Sequence, residues 1–221
     1  MFPFGPIKAA AITRIGEAAL AERLPALRDA AALAALPDDR YLSLLSLRIF
    51  RAGLKHSLVD SKWPAFEEVF HGFVPAAVLG MPDEAVEALM GDRRLIRHWG
   101  KMRSVRNNAA VLDAISRSHG GFGRFLADWP IARTIELWAE LAKSFEQMGG
   151  ESGPRFLRMA GRDTFIFSPS VTAALKHWGV AETLKTKPER AGAQAQFVDW
   201  SQETGLPLAH LSTILACSVD D

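Results

Sequence analysis

The chain has 221 residues, 48% hydrophobic and 23% charged, which excludes a disordered polymer and suffices for one domain with a sizeable core or two small lobes. A net charge of +1 excludes a strongly basic coat, though not a local basic patch. Cys217, the single cysteine, excludes an internal disulfide and a cysteine-rich metal site, and no apolar run reaches the roughly 20 residues that span a bilayer. A soluble protein of a reducing, cytoplasmic compartment is expected, without membrane, metal or cofactor.

Helical periodicity runs through nearly the whole chain. Ile12, Ile15, Ala19, Leu20, Leu24 and Leu27 predict an N-terminal helix interrupted near Pro25. Asp38 or Asp39 is placed to cap a helix that Gly53 ends. Pro64 suits the first turn of a short helix, Ala65 to Phe70, and Pro82 opens another with Asp83 and Glu84 in its first turn. In RLIRHWGKMRSVRNNAAVL, Arg94 to Leu112, the apolar residues Leu95, Trp99, Met102, Val105, Ala109 and Leu112 follow one helix face. Arg94, Arg97 and Lys101 fall on a different, polar side of the same helix, and Gly100 marks where a loop gives way to it. A long amphipathic helix is predicted over Ile131 to Gln147, then a glycine-rich turn, MGGESG, Met148 to Gly153. Only TFIFS, Thr164 to Ser168, reads as strand-like. Ser168 and Pro169 begin a helix through Trp178, the polar stretch Thr183 to Gln194 includes a surface loop, and helices around Gln194 to Gln202 and Leu206 to Ala216 finish an all-α chain.

The chain lacks the metalloprotease His-Glu-x-x-His, paired cysteines, a nucleophile elbow, and the glycine loops that bind dinucleotides or triphosphates. No two of its six histidines stand at metal-ligand spacing on one helix face, and His119 and His210 read as surface residues. The glycine turn is more informative. Helix, tight glycine hairpin and short helix offer backbone N–H groups to a DNA phosphate without reading sequence. A plain structural turn is the competing reading. Arg155 and Arg158 follow directly.

Several motifs resemble the DNA-3-methyladenine glycosylase I family of the helix-hairpin-helix glycosylase superfamily. They are RAGL at Arg51 to Leu54, FEEVFHGFVPAAVLGM at Phe66 to Met81, DEAVEALM at Asp83 to Met90, and above all LIRHWGKMRSVRNNA at Leu95 to Ala109. GFGRFLADWP, Gly121 to Pro130, and the hairpin region continue the match more loosely. The family-like region runs over residues 37–178 of a single glycosylase-like domain, 1–221, with divergent N-terminal helices over 1–36 and C-terminal helices over 179–221.

The resemblance implies an all-α, two-lobed fold with a cleft between the lobes. It implies a monomeric, monofunctional hydrolase that flips an alkylated base such as 3-methyladenine out of double-stranded DNA and cleaves its bond to the sugar. By that resemblance the base pocket gathers Tyr41, Arg48, His56 and Trp63, with His56 the candidate catalytic residue. The DNA contacts fall to Met148, Gly149, Gly150, Glu151, Ser152, Gly153, Arg155, Arg97 and Lys101. The departures are specific. The family's zinc site has no counterpart, Arg48 stands where the family has a base-contacting glutamate, and His56 stands where it has a pocket tryptophan. Ser168 stands where many superfamily enzymes carry a catalytic aspartate. Two other functions stay open: a DNA-binding module without excision, and a scaffold reused for a small-molecule or protein partner.

Overall fold

The computed structural model describes residues 2–220 as helices joined by short turns, with no strand among them. They fall into two compact units, one of residues 1–27, 129–138 and 161–221, the other of residues 28–128 and 139–160. The chain enters each unit more than once, so neither coincides with the family-like region 37–178.

The first unit holds α1 (Gly5–Ile15), α2 (Glu17–Arg23), α12 (Pro169–His177), α13 (Lys187–Thr204) and α14 (Leu208–Ala216). Helix α2 ends at Arg23, just before Pro25, where the interruption is predicted, and a second break, not predicted, separates α1 from α2 at Gly16, with φ 82°. Glycine reaches that backbone region without the penalty a side chain brings. The core is aromatic. Phe165 stacks on Phe197 at 4.6 Å between centroids, and Trp200 lies against Phe4 and Phe197. Cys217 is buried at the edge of this cluster. The stretch expected as a strand, Thr164 to Ser168, takes no regular secondary structure. Its Phe165 and Phe167 close over Trp138, so the alternation of apolar residues there serves side-chain packing alone.

The second unit holds α3 (Ala30–Ala35), α4 (Asp38–Arg51), α5 (His56–Val69), α6 (Pro75–Leu79), α7 (Asp83–Ala88), α8 (Trp99–His119), α9 (Phe122–Asp128) and α11 (Ser152–Met159). Helix α10 (Thr134–Ser144) begins in the first unit and ends in the second. Asp38 does not cap α4. It receives the Ser116 hydroxyl and the Phe122 backbone N–H, at 3.1 Å for the latter, and so ties α4 to α8 and to the start of α9. Tyr41, Leu45, Phe50, Phe66, Phe70, Phe73, Met102, Val105, Leu112, Phe122 and Phe156 are buried along the inward faces. Helix α3 lies so close to α9 that a Cβ on Gly123 would stand 2.1 Å from the Leu33 carbonyl oxygen.

Helix α5 starts nine residues before the predicted Ala65, because Pro64 sits inside it rather than in its first turn. Helix α8 starts at Trp99, one residue before the predicted Gly100 boundary, with the His98 side chain accepting from the Lys101 N–H at 3.3 Å. None of the helices is long and apolar enough to cross a membrane among the described residues.

Candidate functional site

Two structures converge in the second unit: the hairpin that joins α10 to α11, and an open basin beside it. Phe145 and Met148 bury their side chains, and the chain reverses through Gln147 at φ 64° and Gly150 at φ 60°. The left-handed conformation costs a non-glycine residue about 1–2 kcal/mol. A glycine at 150 avoids that cost, and Gln147 bears it. Ser152 and Gly153 are buried in the first turn of α11, which leaves Gly149, Gly150 and the half-buried Glu151 as the solvent-facing part of the turn. The hairpin is not held by its own hydrogen bonds alone. Asn108, fully buried in α8, accepts the Glu146 N–H at 2.8 Å and donates to the Glu146 carbonyl at 3.1 Å. In sequence Asn108 belongs to the family-like motif LIRHWGKMRSVRNNA; its tethering role is a matter of which way the amide points.

The basin has a volume of about 670 Å3 and is lined by Arg48, Arg51, Ala52, Gly53, Leu54, His56, Glu151 and Arg155. Arg48 and Arg51 come from the last turn of α4, His56 from the first residue of α5, and Glu151 and Arg155 from the hairpin and α11. Glu151 accepts two hydrogen bonds from Arg155, at 2.8 and 2.6 Å. Arg51 pairs with Asp60 at 2.7 Å. Arg48 is 9% exposed, and its Nε has no hydrogen-bond partner. Burial lowers its pKa first, the positive charges of Arg155 and Arg51 add to that, and Glu151 alone opposes it. His56 is exposed at the rim.

The basin thus gathers Arg48, His56, Glu151 and Arg155 of the expected residues, and Arg51, which sequence reading noted only in the RAGL motif. Tyr41 and Trp63 are not among its lining residues. The fully buried Tyr41 donates its hydroxyl to the Leu33 carbonyl at 2.8 Å and packs edge-on to Phe122, and burial raises its pKa to about 12. Trp63 stacks between Phe66 and Phe73 and donates its indole N–H to Ser43 at 3.1 Å. Both complete the core of the second unit.

The cationic row Arg94, Arg97 and Lys101 is not one helix face, as the spacing predicts. Arg94 and Arg97 precede α8, and Arg94 is bound to Asp92 at 2.8 Å and Glu68 at 2.9 Å. Arg97 is exposed. Lys101 is 8% exposed and directs its ammonium to the carbonyls of Phe50, at 3.3 Å, and Ala52, at 2.7 Å. It caps the C-terminus of α4, which answers that helix end's negative pole. Ser168, in the first unit, caps α12 by accepting the Val171 N–H at 3.3 Å. No group of three or more His, Cys, Asp or Glu residues able to hold a metal occurs among the described residues.

The methyladenine glycosylase family model matches residues 33–150, over half of the chain. The chain belongs to this family. The matched span carries α4, α5, α8 and the hairpin as far as Gly150, and so most of the basin of this methyladenine glycosylase homologue. DNA-3-methyladenine glycosylase 1 of Escherichia coli (strain K12) is 34% identical over 72 residues, which are 33% of this chain and 38% of that protein. The alignment therefore spans well under half of that relative's length. Among solved structures, 3-methyladenine DNA glycosylase I from Staphylococcus aureus, described with the basis of its 3-methyladenine recognition, aligns at a TM-score of 0.51 and 24% identity. That alignment covers 57% of this chain and 77% of the other. An 8-oxoguanine glycosylase/lyase of Methanocaldococcus jannaschii, in complex with a 15-mer DNA containing 8-oxoguanine, aligns at a TM-score of 0.51 and 13% identity over 95% and 93% of the two chains. At these identities the structures establish the helical glycosylase fold alone.

Proposed function

We propose that this family member is a monofunctional DNA glycosylase of base-excision repair. It binds double-stranded DNA, flips out an alkylated base such as 3-methyladenine, and hydrolyses the bond between base and sugar, water supplying the hydroxyl that the sugar gains. The observation that carries the reading is the family match over residues 33–150, which includes the hairpin as far as Gly150 and most of the basin next to it. The hairpin contact falls to Gly149, Gly150 and Glu151, the part of the turn open to solvent, together with Arg155; Arg97 adds an exposed cation. His56 at the basin rim is the proposed catalytic residue. Arg48 limits the substrate. A cationic base about 4 Å from its guanidinium is repelled by roughly 4 kcal/mol at an effective dielectric near 20, about three powers of ten in affinity. Release of 3-methyladenine is therefore expected to be slow, with better turnover of lesions that present acceptor atoms to a donor-only side chain.

One observation favours a second reading, a DNA-binding module without excision. No Phe, Tyr or Trp lines the basin, and its single carboxylate, Glu151, is already paired with Arg155. An excision assay on randomly methylated duplex DNA separates the two. Measurable base release by the wild type, with more 3-methyladenine released by Arg48→Glu, is the expected result. Retained DNA binding with no release by either protein, at high enzyme and long times, would reject the glycosylase reading in favour of the module.

A further inference from the structure

Arg48 holds a charge that the fold does not balance. Its side chain is nine-tenths buried, its Nε is unpartnered, and no hydrogen bond or ion pair reaches its guanidinium among the described residues. A buried cation is normally paired, because desolvation is costly without compensation. Arginines in a last helical turn often answer the helix pole. Here that role is taken by Lys101, whose ammonium sits on the Phe50 and Ala52 carbonyls. Arg48 is left facing the basin, with Arg51 beside it on α4 and Arg155 across from it on α11.

The other charges there do not relieve it. Glu151 is held by Arg155 through two hydrogen bonds, and Asp60 is held by Arg51. The basin therefore has an excess of positive charge and unused planar N–H donors. It is open, its apolar lining is limited to Ala52 and Leu54, and its one ring is the exposed His56 imidazole at the rim, so it offers a base no enclosed stacking platform. Guanidinium forks around an open, polar concavity match the tetrahedral oxygens of a phosphate.

We propose that the Arg48–Arg51–Arg155 basin is a phosphoryl-binding site, which takes a DNA backbone phosphate or the phosphate of a free nucleotide. Excision activity is not required for it. Binding places an anion against Arg48, supplies the missing acceptors and removes the repulsion among the three arginines.

The test uses the full chain labelled with 15N and follows the arginine Nε–Hε signals. Inorganic phosphate is titrated at constant ionic strength against chloride. Saturable movement of the Arg48 and Arg155 signals is expected. A short undamaged duplex and adenosine monophosphate are then added in separate arms. Displacement of phosphate by the duplex identifies a backbone phosphate as the ligand, and displacement by the nucleotide alone identifies a free phosphate ester. Arg48→Met and, independently, Arg155→Gln are each expected to weaken phosphate binding at least tenfold. Phosphate should also raise the Tm of the wild type but not of Arg48→Met. The proposal is overturned if none of the three ligands moves these signals saturably, or if affinity is unchanged in whichever of the two variants folds.

Discussion

Asn108 has no charge, yet it tethers the hairpin. Its amide brackets Glu146 with one accepted and one donated hydrogen bond. Removing it takes away two bonds worth about 0.5–1.5 kcal/mol each and leaves partly buried backbone groups unsatisfied. Asn108→Ala is expected to destabilise the protein by about 2–4 kcal/mol in urea unfolding, with faster amide exchange across residues 145–152. A loss below about 0.5 kcal/mol would place it among ordinary surface substitutions and show that the hairpin holds itself. Residue type alone does not reveal this role, since Asn107 next to it is exposed and bonds the Glu146 carboxylate instead. Lys101 carries the same lesson with the opposite sign. Its spacing from Arg97 suggests a shared wet face, whereas the start of α8 turns it inward onto the end of α4. Periodicity gives the angle of a side chain about its helix, not what stands opposite.

At the scale of elements, helices with a long apolar stripe were legible in sequence and their polar first turns were not. Residues 183–186 form the surface loop expected within 183–194, but helix α13 begins at Lys187 rather than around Gln194, because its first turn is solvated and carries no apolar signal. What starts it is a reciprocal cap between Thr186 and Glu189. The Thr186 backbone N–H, followed by the hydroxyls of Thr186 and Thr183, holds the Glu189 carboxyl down to about 2, from an ordinary value of 4.5. A depressed folded value means that this cap contributes stability above about pH 4.5, and that the contribution is lost as pH falls from there through about 2. NMR titration of the Glu189 carboxyl carbon should give a midpoint near 2 that rises in Thr186→Ala; a wild-type midpoint near 4.5 would refute the cap. Pro64 misleads in the same way. It suits a first turn, but α5 runs through it from His56, and so the helix carries His56 to the basin rim.

Over the whole molecule, the all-α order and the hairpin were readable from periodicity, glycine placement and the resemblance. The basin was only half readable. Arg155 lies far along the chain from Arg48 and His56 yet meets them there, whereas Tyr41 and Trp63 are drawn into the aromatic core by Phe122, Phe66 and Phe73. Aromatic residues suit a base pocket and a protein core equally well, and only packing chooses between them. The chain's one thiol offers a way to time the two units separately. Cys217 is buried at the edge of the aromatic core of the first unit, and the second unit, which holds the hairpin and the basin, contains no cysteine. A disulfide reagent such as Ellman's will therefore react at a rate set by how often the first unit opens. If the units melt independently, mild urea will speed that reaction while ligand at the basin leaves it unchanged. If they melt together, ligand will slow the clock.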